Sequence, residues 1–127
     1  MRHTACLLQH SVIIVFFMKQ FVVDELRRAD FNTLKAYLDD KYGAAAIGGI
    51  YWLPIAKEVL SDIQTKHKDC QPFYFVIDLE YDRMRIELLV RTKTRVRCAC
   101  MSYATESQCT WLIRQVDKIF ERLEMTY

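Results

Sequence analysis

The chain has 127 residues, a length that fits one domain built round one core. Hydrophobic residues make up 52% and charged residues 27%, which excludes global disorder, and 3 Gly with 2 Pro exclude low-complexity linkers. A net charge of +2 is too mild to signal nucleic acid by itself, so any preference for anions has to come from local clustering.

The apolar run Leu7–Phe17 contains Gln9, His10 and Ser11 and falls short of the ~20 residues of a membrane-spanning helix. Met18-Lys19-Gln20 follows it, where a secretory signal would place small residues. Residues 1–17 therefore read as an N-terminal extension outside the fold, with Met18 a sensible start, and 18–127 as a single α+β domain. Two other readings stay open: targeting, and an added strand in which the β-branched run Val12–Val15 pairs with a sheet edge. No membrane span is expected.

Phe21-Val22-Val23 predicts a short strand near 20–24. Asp30 suits a helix N-cap, Phe31, Leu34, Tyr37 and Leu38 recur at helical spacing, and Gly43 supplies a stop, giving a helix over about 31–42. The small-residue segment Ala44–Gly49 leads into Ile50-Tyr51-Trp52-Leu53, a strand at 50–53 that Pro54 ends. Apolar residues at 55, 56, 59, 60 and 63 predict an amphipathic helix over 55–67.

An antiparallel three-strand meander over about 73–103 is the best-specified part. With a turn at Tyr81-Asp82, Glu80 faces Arg83 and Asp78 faces Arg85, while Leu79 meets Met84, Ile77 meets Ile86, Phe75 meets Leu88 and Phe73 meets Val90. One face is then wholly apolar and the other carries opposite-charge pairs, and a slip of one residue would destroy both patterns. A loop at Thr92-Lys93-Thr94 aligns Val90 with Val96, Leu88 with Cys98 and Ile86 with Cys100, keeping Arg95 and Arg97 out of the core. Thr105 then caps a helix over 106–124, with Gln108 at the capping-box position and Trp111, Leu112, Val116, Ile119, Phe120 and Leu123 as its buried stripe.

Five cysteines, Cys6, Cys70, Cys98, Cys100 and Cys109, lack the spacing of a disulfide framework and read as reduced thiols in a cytoplasmic protein. His67-x-x-Cys70 with Cys98-x-Cys100 has four residues of zinc-ligand type. The meander register separates the two pairs by roughly 25 Å at ~3.3 Å per residue and turns Cys98 and Cys100 into the core. The expectation is therefore core thiols and no metal or other cofactor, with His67, Cys70, Cys98 and Cys100 as the metal-binding alternative. A cysteine nucleophile needs a histidine beside an exposed, activated thiolate, and of the three histidines, His3, His10 and His67, the first two lie in the extension.

The polar sheet face would carry Arg83, Arg85, Arg91, Arg95 and Arg97 against Asp78, Glu80 and Glu87, leaving Arg91, Arg95 and Arg97 poorly compensated. Arg85, Arg91, Arg95, Arg97 and Tyr74 thus form a candidate face for a partner or an anion, beside the plainer reading of a solvated face with surface ion pairs. Tyr51 and Trp52, after Gly48-Gly49, form a candidate pocket, beside the plainer reading that they are core.

The strings Gly-Ile-Tyr-Trp-Leu-Pro from Gly49, Cys-Gln-Pro-Phe-Tyr-Phe from Cys70, Glu-Leu-Leu-Val-Arg from Glu87 and Arg-Cys-Ala-Cys-Met-Ser-Tyr-Ala-Thr from Arg97 resemble a family of short uncharacterised bacterial proteins. The resemblance implies a bacterial cytosolic setting and carries no activity. No catalytic constellation stands out, so the expected function is a small non-enzymatic binding or accessory module, acting through its sheet face, as a homodimer or with a protein partner. The alternatives are binding of nucleic acid or another polyanion by the Arg-rich face, and a thiol-based enzyme or redox protein.

Overall fold

A computed structural model describes residues 12–15, 18–44 and 48–127. The rest of the expected extension and residues 45–47 of the small-residue segment lie outside the described residues. The chain folds as β1 (Val12–Val15), β2 (Met18–Val23), α1 (Arg28–Tyr42), β3 (Ile50–Pro54), α2 (Asp62–Lys66), β4 (Phe73–Glu80), β5 (Arg83–Glu87), β6 (Arg91–Thr92) and α3 (Glu106–Arg122). The sheet is antiparallel in the order β1-β2-β5-β4-β3, and β6 pairs with the start of β4. This is an α+β fold, and Val12–Val15 adds to the sheet edge beside β2.

Alternation along β4 decides which face is buried. Phe73, Phe75, Ile77 and Leu79 point inward, and Met84 and Ile86 of β5 join them. Leu34 and Leu38 of α1 and Leu112, Val116 and Phe120 of α3 cover that face, and Trp111 stacks on Phe75 with ring centres 6.3 Å apart. Burying each such side chain contributes roughly 1.5–3 kcal/mol, so this face is the main source of stability. The β4–β5 register is the one the charge and apolar patterns demand: Glu80 opposite Arg83, Asp78 opposite Arg85, Leu79 opposite Met84 and Ile77 opposite Ile86. Thr105 caps α3 and Gln108 completes its capping box. Helix α1 starts earlier than Asp30 suggests. Arg27 is the N-cap, and Asp30 in the first turn accepts from the Arg27 backbone N–H and guanidinium.

Three expectations need correction. The helix over 55–67 is broken into a 3₁₀ turn at Lys57–Val59 and the short α2, because Leu60 and Ser61 are extended and Ser61 starts a new capping box with Gln64. The β5 pairing does not continue to Phe75–Leu88 and Phe73–Val90. After Glu87 the register slips, so that Phe73 stands opposite Thr92 and Tyr74 opposite Arg91. The slip is even, so Leu88 and Val90 still face the core.

The third strand of the meander is also absent. The Leu88 N–H donates to the Lys19 carbonyl, the Leu88 carbonyl accepts from Ala104, and the Val90 N–H donates to Ser102. The returning chain thus reaches the sheet at an isolated Leu89–Tyr103 bridge, not at Val96–Val90. Residues 93–101 form a long loop outside the sheet. The reasoning that kept Arg95 and Arg97 from the core is satisfied by a different route, since both sit exposed in that loop and Val96 is 87% exposed.

Candidate metal centre

The long loop changes the position of two cysteines. Strand β6 ends at Thr92, beside the start of β4, so the loop leaves the sheet next to Cys70. The Thr92 hydroxyl donates to the Cys70 carbonyl, and the Thr94 hydroxyl donates to the Asp69 carbonyl at 3.4 Å. These bonds join the loop to the turn that carries the other two candidate ligands. His67 is the residue after α2, with its N–H donating to the carbonyls of Ile63 and Gln64. The 3₁₀ turn Lys68–Cys70 follows, and its Cys70 N–H donates to the His67 carbonyl at 3.0 Å. One tight turn therefore sets the His67-x-x-Cys70 spacing.

From the loop side, the Met101 N–H donates to the Cys98 carbonyl at 3.0 Å, closing a turn around Cys98-x-Cys100. The ligand atoms of His67, Cys70, Cys98 and Cys100 all lie within 4.8 Å of one another. Cys70 Sγ is 3.9 Å from Cys98 Sγ, and Cys98 Sγ is 3.2 Å from His67 Nδ1. A tetrahedral zinc with Zn–S of ~2.3 Å and Zn–N of ~2.1 Å has S···S edges of about 3.8 Å and S···N edges of about 3.6 Å. The two pairs thus match those edges to within a few tenths of an ångström. The expectation of two distant pairs is overturned here, because it rested on a third strand that does not form.

Cys70 and Cys100 are buried and Cys98 is half-buried, so one edge of the cluster is open to an entry path. That path is a groove lined by Lys66, Lys68, Asp69 and Arg95 around His67, Cys70 and Cys98. The Cys98 thiol is drawn down to about 6, first by the Cys100 backbone N–H and then by the Cys100 thiol, while burial pushes Cys100 up to about 12. Thiol protons shared within so small a cluster are those that a divalent cation would displace on binding. Cys70, Cys98 and Cys100 are free thiols, and Cys109 lies apart from the cluster on α3.

The support behind the cluster is a pair of buried glutamines. Gln64 Nε2 donates to the Cys100 carbonyl at 3.1 Å, and Gln64 Oε1 accepts from Gln108 Nε2 at 2.8 Å and from the Ser61 N–H at 3.0 Å. Gln108 Nε2 also donates to the Val59 carbonyl at 3.0 Å. Two capping boxes, Ser61-x-x-Gln64 and Thr105-x-x-Gln108, thereby meet side chain to side chain and hold the backbone of one ligand. Gln71 closes the other side by donating to the Gln64 and Thr65 carbonyls at the end of α2. Outer contacts of this kind orient metal ligands and fix their spacing. Gln64 went unnoticed in the sequence, although its capping-box spacing was a usable signal.

The other candidate residues are dispersed. Arg85 bonds Asp78 at 2.7 Å and Glu80 at 2.5 Å, and Arg91 grips Glu87 with contacts of 2.6 and 3.1 Å, so Arg91 is compensated after all. Arg95 and Arg97 leave the sheet face for the loop. Tyr51 and Trp52 point to opposite faces. Tyr51 is buried and donates to Asp39 at 2.6 Å, while Trp52 packs edge-on against Tyr74 on the outer face. Gly49, with φ of 83°, lies so close to the Leu79 carbonyl that a Cβ would collide with it, so the close approach it permits is between two strands. Among the described residues no helix is long and apolar enough to cross a membrane. Compared with protein-family models, curated proteins and solved structures, the chain matches none.

Proposed function

We propose that the chain is a small binding module whose loop 93–101 is tied to the domain by a structural zinc centre, with His67, Cys70, Cys98 and Cys100 as ligands. The observation that carries this reading is the convergence of one imidazole nitrogen and three thiols within 4.8 Å, drawn from two separate turns. Three sulfurs and one nitrogen favour zinc over hard cations, and four protein ligands leave no open position of the kind catalytic zinc keeps. The same closure supports a binding module over a thiol enzyme, since the thiols are used as ligands. Zinc with three thiolates and a neutral imidazole carries a single net negative charge, which Lys66, Lys68 and Arg95 in the adjoining groove offset. Reduced thiols suit a reducing compartment such as the cytoplasm.

The test is metal analysis of protein purified without added metal or chelator. One equivalent of zinc per chain is expected, retained in Cys109→Ser and lost in Cys98→Ser and Cys100→Ser. Protein that stays substoichiometric even after refolding with excess zinc would end the reading.

A further inference from the structure

The loop held by the four ligands presents a surface that the fold itself does not need. Lys93 Nζ lies 4.8 Å from the ring centre of Tyr74 and 5.3 Å from that of Trp52, and those two rings meet edge to face at 5.5 Å. The groove beside them is about 350 Å³ and is lined by Trp52, Arg91, Lys93, Arg95 and Val96 with two threonines. Arg95 also lines the groove at the ligand cluster, together with Lys66 and Lys68. Apart from Arg91, which is paired with Glu87, the two adjoining grooves hold Lys66, Lys68, Lys93 and Arg95 against one lining carboxylate, Asp69. No described carboxylate lies within ion-pair distance of Arg95. Val96, 87% exposed at the loop, adds an apolar side chain that no core contact explains.

We propose that this surface binds single-stranded nucleic acid, with Trp52 and Tyr74 taking bases, Lys93 and Arg95 taking phosphates, and Val96 covering a base edge. The proposal rests on the zinc reading, because zinc would hold the loop against the aromatic pair. Flat rings beside a basic groove are the combination that single strands use, with stacking tolerant of sequence and phosphates supplying salt dependence. An acidic protein would gain from the cations but not from the rings, and that difference separates the two.

The experiment is fluorescence anisotropy of a labelled oligothymidylate of about twelve nucleotides, a length within the site sizes of single-strand binders. It uses the full chain, with zinc content measured on the same samples. Binding is expected at low salt. Lys93→Gln with Arg95→Gln should lower the slope of log affinity against log salt by about 1.4, from roughly 0.7 per phosphate contact on single strands. Trp52→Ala should weaken binding by about 5- to 150-fold, as the loss of one stacked base does. Trp52→Phe, which keeps a ring, should recover most of it and guards against a folding defect. Absence of binding by zinc-loaded protein overturns the surface and leaves the zinc reading standing. So does displacement by polyglutamate at matched charge with no effect of Trp52→Ala, which would assign the groove to an acidic protein. Retained binding by chains that never hold zinc would sink the zinc reading alone.

Discussion

Replacing Gln64 by Leu tests how the ligand cluster is held. The side chain is fully buried, and leucine fills nearly the same volume, so little of the effect comes from a cavity. What changes is three hydrogen bonds. The Cys100 carbonyl loses its donor, the Ser61 N–H loses its capping acceptor, and the Gln108 amide nitrogen keeps its bond to Val59 while losing the one to Gln64. The carbonyl left without a partner costs ~1–3 kcal/mol and the lost half of the Ser61 capping box up to about 1 kcal/mol, so the variant should lose about 2–4 kcal/mol. Because the network does not include the metal, urea denaturation in chelator should show the same loss. Zinc affinity, read by competition with a chromophoric chelator, should fall about 10- to 100-fold, the usual effect of disturbing a contact behind a ligand. Adding Gln108→Leu should cost a further ~1–3 kcal/mol, because the Val59 carbonyl and the Thr105 N–H then lose their partners as well. A variant that loses the stability but binds zinc within twofold of the parent would refute the positioning role and leave Gln64 as a packing residue.

Four further substitutions probe the fold around the site. Val96→Asp should change stability by less than about 0.5 kcal/mol, because the side chain is in solvent, whereas Val90→Asp should unfold the domain; a large loss at Val96 in thermal melts would restore the third strand. Tyr51→Phe removes the bond to Asp39 and should cost about 1–2 kcal/mol in denaturant titrations. Burial first, then the bond to Asp39, raises the Tyr51 ionisation above its ordinary value of about 10. Its contribution is therefore complete below pH ~10 and lost as pH rises through the higher folded value, and Tyr51→Phe should flatten that alkaline decline in stability. Gly49→Ala should destabilise the β3–β4 pairing by several kcal/mol, since φ is positive and the Leu79 carbonyl blocks a Cβ; unchanged melting would show that the strands can part there.

Which parts of this fold were legible depended on whether local patterns were checked by a second, independent pattern. The β4–β5 hairpin was readable because the apolar alternation and the Asp78–Arg85 and Glu80–Arg83 pairs demand one register. Helix α3 was readable because its cap and its buried stripe agree. The segment after Glu87 had only one pattern to offer, the need to keep Arg95 and Arg97 out of the core, and a long exposed loop meets that need as well as a strand does. A strand there would carry Cys98 and Cys100 into the sheet and away from His67 and Cys70, although the spacing of these four residues is open in the sequence. The 55–67 segment failed for a related reason. Its apolar periodicity is real, yet Ser61-x-x-Gln64 restarts the helix, and the buried Gln64 serves a distant carbonyl that no local pattern reveals.

X-ray absorption at the zinc edge of the purified chain tests the central claim most directly. The account predicts a four-coordinate first shell of three sulfurs at about 2.3 Å and one nitrogen at about 2.0–2.1 Å, with the imidazole scattering pattern of His67. A shell of oxygens and nitrogens alone, or one with a single sulfur, would contradict it.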